Sequence, residues 1–126
     1  MYLQAEIAWG EVFCAFPVFI PGVLFILLSI PMLFNKIPPN AWYGFRTEKT
    51  LSNKEIWYKA NCYMARDFLV FGVLHTVFVI IFFILEKSQI VEFNLPGPWT
   101  LLIFPFPMVL GLVIVIYRSF KYLKKL

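Results

Sequence analysis

No charged residue lies between Glu11 and Lys36, between Asp67 and Glu86, or between Glu92 and Arg118. These three gaps leave the chain few ways to fold. An apolar run of about 18 residues or more crosses roughly 30 Å of hydrocarbon as a helix. Lipid offers no partner to an open backbone group, so a single run of this kind must be helical. We therefore expect an all-α fold, a three-span transmembrane helical bundle with spans at 12–34, 68–85 and 99–117. Residues 35–67 would form a structured cytoplasmic loop and helix between the first two spans. The whole chain, 1–126, reads as one membrane domain. Composition agrees, since 61% of the residues are apolar and 14% charged, with a mean hydropathy of +0.79. A soluble domain of this size needs more polar surface. The flank of the first span carries Glu6 and Glu11 but no Lys or Arg. A retained helix is expected there rather than a cleaved signal peptide.

Basic residues orient the spans. Apart from Lys87, they all fall in the 36–66 loop or in the tail, at Arg118, Lys121, Lys124 and Lys125. The positive-inside rule then places the loop and the C-terminus in the cytoplasm and the N-terminus outside. Trp9 and Trp99 would sit at the outer interface, Tyr117 and Tyr122 at the inner one. The net charge of +4 is mainly a topology signal and points to anionic head groups rather than nucleic acid. Cys14 lies in the first span and Cys62 on the cytoplasmic side, which excludes a secreted disulfide framework. Pro17, Pro21 and Pro31 interrupt the first span, and Pro105 and Pro107 the third, so bent helices are expected.

The polar residues concentrate between the first two spans. Pro38-Pro39 should stop any helix continuing from the first span, and Gly44 permits a tight turn. Trp42, Tyr43 and Phe45 are too apolar for a solvated loop and should lie at the interface or fold back onto the bundle. Ser52-Asn53-Lys54-Glu55 fits a capping box with Ser52 as N-cap, with Leu51 and Ile56 as its hydrophobic staple. A helix should begin near Asn53 and run unbroken into the second span. Glu55 and Lys59 make an i,i+4 pair on it. Trp57, Asn61, Met64 and Phe68 form one stripe. An Asn in such a stripe needs a partner, because a buried lone amide is costly. Either Asn61 tethers the loop or it touches a ligand.

Folding the loop back would bring Arg46 and Thr47 close to Trp57 and Asn61. The Arg46 fork suits a carboxylate or phosphate. Its internal partners would be Asp67, Glu48, loop carbonyls or the Asn61 oxygen. Arg66 and Asp67 sit at the mouth of the second span, where Arg66 can snorkel to head groups. His75 lies about two turns deeper, and intramembrane ionisable groups are functional candidates by default. It either satisfies itself on a neighbouring carbonyl or relays protons. Metal-ligand spacings, phosphate loops and nucleophile elbows are all missing from the sequence. No catalytic residue, cofactor or metal is therefore expected.

Asn40, Gly44-Phe45-Arg46-Thr47, Thr50, Ser52-Asn53, Trp57 and Asn61, in this order and spacing, resemble the signature of the SdpI family of bacterial membrane proteins. The resemblance covers about 35–75. It implies a non-enzymatic, multi-pass plasma-membrane protein giving immunity or resistance to a secreted membrane-active toxin peptide. The family's founding member protects a bacterium from its own killing peptide. The signature cluster would then be Asn40, Gly44, Arg46, Thr47, Trp57 and Asn61, acting as a ligand site or a structural latch. Asp67 and His75 are the additional polar candidates. Partners would be the lipid bilayer and a toxin peptide or another membrane protein. The alternatives are an accessory subunit of a larger membrane complex, or a small lipid-head-group-handling protein using Arg46 and Asn61.

Overall fold

Long apolar runs between charged punctuation become long helices. The computed structural model describes residues 2–88 and 103–126, with side chains at 18–85, 88 and 103–126. The described residues form four helices and no strand: α1 (Tyr2–Leu33), α2 (Glu48–Ser52), α3 (Lys54–Lys87) and α4 (Pro105–Leu123). Both α3 and α4 are long and apolar enough to cross a membrane. The apolar part of α1 with described side chains is Val18–Leu33. The side chains of Trp9, Cys14 and Lys87, and the first residues of the expected third span including Trp99, lie outside the described residues.

Helix α3 runs unbroken from the loop into its apolar segment, as expected. At about 1.5 Å per residue, its 34 residues exceed the roughly 30 Å of a hydrocarbon core by several turns. Its first turns, bearing Trp57 and Asn61, therefore stand beyond the apolar run.

The helix ends have identifiable causes. α1 extends from Tyr2, ahead of the expected span, and Pro17, Pro21 and Pro31 all lie inside it. It stops before Pro38-Pro39. Asn35 adopts a left-handed φ of 54°, its N–H donates to Met32 O at 3.1 Å, and Lys36 N–H donates to Pro31 O at 2.9 Å. This is a Schellman stop, in which Asn takes the place usually held by Gly. In the third span the helical run is broken by a turn at Phe104, and Pro105 and Pro107 stand in the first positions of α4, where a missing N–H removes no bond. That helix continues past Tyr117 to Leu123, with Lys121 in its last turn, a charge its dipole favours.

The cap of α3 is Asn53, not Ser52. Asn53 is extended, with φ −138° and ψ 116°. Its Oδ1 accepts from Glu55 N at 2.8 Å and Ile56 N at 3.2 Å. Ser52 ends α2 and donates to Lys49 O at 3.1 Å. The staple drawn around Ser52 lapses with it, and Leu51 is exposed. We expect Asn53→Ala to lower stability by about 1 kcal/mol and Ser52→Ala to stay within about 0.5 kcal/mol of wild type. Thermal melts in detergent check this, and the opposite ranking would return the cap to Ser52.

The central element is α3. It packs against α1, α2 and α4, whereas α1 and α4 do not contact each other among the described residues. The α1–α3 crossing is close because Gly22 meets Gly72. A Cβ on Gly72 would stand 2.7 Å from the Gly22 carbonyl. Small residues at such crossings let helix backbones approach. Phe25 stacks on Phe68 at 5.1 Å. On the adjacent face, the Phe71 ring sits over Gly111 of α4, and Tyr63 stacks on Tyr122 at 4.1 Å. Outward positions such as Val70, Leu74, Ile81, Phe106 and Val113 are exposed and apolar. Such a surface suits lipid and not water.

Candidate functional site

The site is built on the buried stripe of α3. Trp57 is 1% exposed and Asn61, one turn on, is 4% exposed. Asn61 Oδ1 accepts from Phe45 N–H at 2.6 Å, and its Nδ2 donates to Trp57 O at 2.9 Å. The Trp57 indole N–H donates to Ile37 O at 2.9 Å. Two side chains one helical turn apart thus hold the loop at two points, Ile37 and Phe45. Between these points the chain crosses the Trp57 ring at Gly44, whose φ is +112°.

Asn40 shapes the intervening turn. Its Oδ1 accepts from Trp42 N and Tyr43 N, both at 2.8 Å, and its Nδ2 donates to Pro38 O at 2.8 Å. This is an Asx-type turn, with a side chain replacing backbone partners. The Tyr43 hydroxyl donates to the Leu28 carbonyl of α1. Burial pushes the Tyr43 phenol above its ordinary value.

The descending half is fixed by threonines. Thr47 caps α2 by accepting from Thr50 N at 3.1 Å, while Thr50 Oγ1 accepts from Thr47 N at 2.8 Å. Thr50 is fully buried, and its hydroxyl donates to Phe45 O at 2.8 Å. Both backbone groups of Phe45 are therefore held by side chains. The Phe45 ring packs in a core with Ala60 and Leu123, flanked by Ile56 and Met64, and meets Phe120 edge-on at 5.0 Å. Lys49 Nζ donates to Leu123 O at 3.1 Å. Loop, α2 and the C-terminal end of α4 consequently meet at one end of the helices.

Asn40, Gly44, Thr47, Trp57 and Asn61 come together as one assembly. Arg46 departs from it. Its side chain is exposed and its guanidinium donates to the Ala41 carbonyl. Of the partners expected for it, a loop carbonyl is the one it finds. The Asn61 oxygen is taken by Phe45. Asp67 is taken by Arg118, with Nε–Oδ2 at 2.6 Å and Nη2–Oδ1 at 3.3 Å. Arg118 also lies 5.9 Å over the Tyr63 ring. His75 is 5% exposed, and its Nε2 is 3.2 Å from the Val18 carbonyl of α1. Among the described residues no group of His, Cys, Asp or Glu could hold a metal ion.

Arg118, Phe45 and Thr50 carry more of this site than their place in the sequence suggested. The Thr47-x-x-Thr50 spacing was the available signal for the threonines, but it lacks the Glu or Gln of the usual box. As an arrangement, the assembly is a latch between loop and helices with its polar atoms turned inward, and the Arg46 guanidinium stands exposed beside it. A family model described as the SdpI/YfhL protein family matches residues 36–118. Neither a curated protein nor a solved structure matches the chain.

Proposed function

The chain belongs to the SdpI/YfhL protein family, and on that premise we propose that it is a non-enzymatic, multi-pass protein of the bacterial plasma membrane giving immunity to a secreted membrane-active toxin peptide. The observation that carries this reading is the family match itself. It begins at Lys36, where the latched loop begins, and ends at Arg118, whose guanidinium closes on Asp67. The matched region thus contains the loop together with Trp57 and Asn61, the side chains of α3 that hold it. In this reading the latch is structural. It sets the spacing of the helices at the cytoplasmic end, and the toxin is met by the apolar faces above it. A non-enzymatic role is in keeping with the chemistry of the cluster, since Asn, Thr and Arg bind better than they react.

An N-terminus outside and a C-terminus inside follow from the basic residues. The meeting of the loop with the end of α4 supports placing both on the same side. Deletion of the gene, followed by survival assays against a panel of membrane-active peptides, tests the function. The expected outcome is a selective loss of survival against one peptide class, restored by re-expression. Equal survival of both strains across the panel overturns the immunity role.

A further inference from the structure

Trp42 is 91% exposed, the largest value among the exposed large hydrophobics, and Phe34 at the end of α1 is 70% exposed. Trp42 is not presented loosely. Asn40 Oδ1 accepts its N–H, the next residue is tied to α1 through the Tyr43 hydroxyl, and Asn61 holds the far end at Phe45. A rigid turn therefore holds an indole away from the protein. Exposed cations flank it in sequence, Lys36 before and Arg46 after. Arg46 donates to the carbonyl of Ala41, the residue preceding Trp42, which sets the guanidinium beside the turn. A guanidinium has five N–H donors, so one carbonyl leaves most of the fork available.

We propose that the 39–44 turn, with Arg46, is a bilayer anchor. The Trp42 ring lies in the interfacial layer, and Arg46 donates to the phosphate of an anionic lipid head group. The amphipathic indole suits that layer. The planar fork matches a phosphate, and the basic loop complements anionic lipid. The Tyr43 hydroxyl ties the turn to the Leu28 carbonyl, within the apolar Val18–Leu33 run of α1, which sets the turn beside that run rather than over open water.

The test uses the full chain in vesicles of phosphatidylcholine and phosphatidylglycerol, comparing wild type with Trp42→Phe. The Trp42 ring has little protein contact, so the variant should melt with wild type. The emission it loses should be quenched by nitroxide-labelled lipid and shielded from acrylamide in the water. Arg46→Gln should weaken that lipid quenching and admit acrylamide. A Trp42 component open to acrylamide and untouched by lipid nitroxide overturns the anchor. A component shielded from both means that a second copy or another protein covers the turn, and overturns it equally. An Arg46→Gln protein identical to wild type removes Arg46 from the site.

Discussion

Replacing Trp57 with alanine is expected to destabilise the detergent-solubilised protein by about 3–5 kcal/mol, the range for truncating a buried large aromatic. Trp57 is 1% exposed and forms the floor on which the loop rests. Truncation opens a cavity beneath Gly44. It also leaves the part-buried Ile37 carbonyl without its indole donor at 2.9 Å, a loss of about 1 kcal/mol by itself. Alanine's better helix propensity returns only about 0.5 kcal/mol. Trp57→Phe separates the two losses. It keeps most of the apolar volume and loses the hydrogen bond, so it should fall between wild type and Trp57→Ala. Thermal melting measures the ranking, and limited proteolysis of the 34–47 segment should show the loop released first. An alanine variant that melts with wild type would remove Trp57 from the core of the latch.

The helices were legible because lipid leaves a chain no alternative. Once charge vanishes between Asp67 and Glu86, a helix is the one backbone that satisfies itself there. The latch was legible in part for a related reason. An amide at Asn61, in a stripe with Trp57 and Met64, demands a partner, and the loop was the nearest source. Which atom would answer was hidden. The Phe45 N–H occupies the oxygen that Arg46 was expected to reach, because Gly44 turns the backbone toward α3 and the Arg46 side chain away.

Pairing across the bundle was harder still. Asp67 had two arginines within reach of a plausible fold, and the one that wins is 51 residues away in sequence. Nothing local in the chain ranks Arg118 over Arg46. The ranking comes from α4 lying along α3, where Tyr63 and Tyr122 stack. Adjacent cap formers caused the smaller error. Ser52 and Asn53 are both good N-caps, and the five-residue α2 consumes Ser52 before α3 begins. At the end of α1, the Pro38-Pro39 signal masked the Asn35 stop, which needs only one left-handed residue.

Gly44→Ala should be the second large loss, about 3 kcal/mol or more, and for the opposite reason to Trp57→Ala. At φ +112° a side chain is strained whatever the space around it, at about 1–3 kcal/mol. The space is also filled. A Cβ at Gly44 would stand 2.5 Å from Asn61 Oδ1 and 3.2 Å from Trp57 Cη2 and Cζ2. Overpacking of this kind costs about 1–3 kcal/mol. Restricting the unfolded chain returns only about 0.4–1 kcal/mol. The new methyl group must push Asn61 aside, and Asn61 holds the Phe45 N–H. Strain and lost hydrogen bond therefore fall on the same contact. The two variants share a wall, so their effects should not add. With Trp57 truncated, the ring carbons no longer oppose the added methyl group, while the Asn61 clash and the strained φ persist. The double variant should be more stable than the sum of the single losses implies, by about 0.5 kcal/mol or more. Melting of all four proteins in one detergent closes the cycle. Strict additivity would mean that Gly44 does not cross the Trp57 ring. A Gly44→Ala protein as stable as wild type would mean that the loop reaches Asn61 without the left-handed turn.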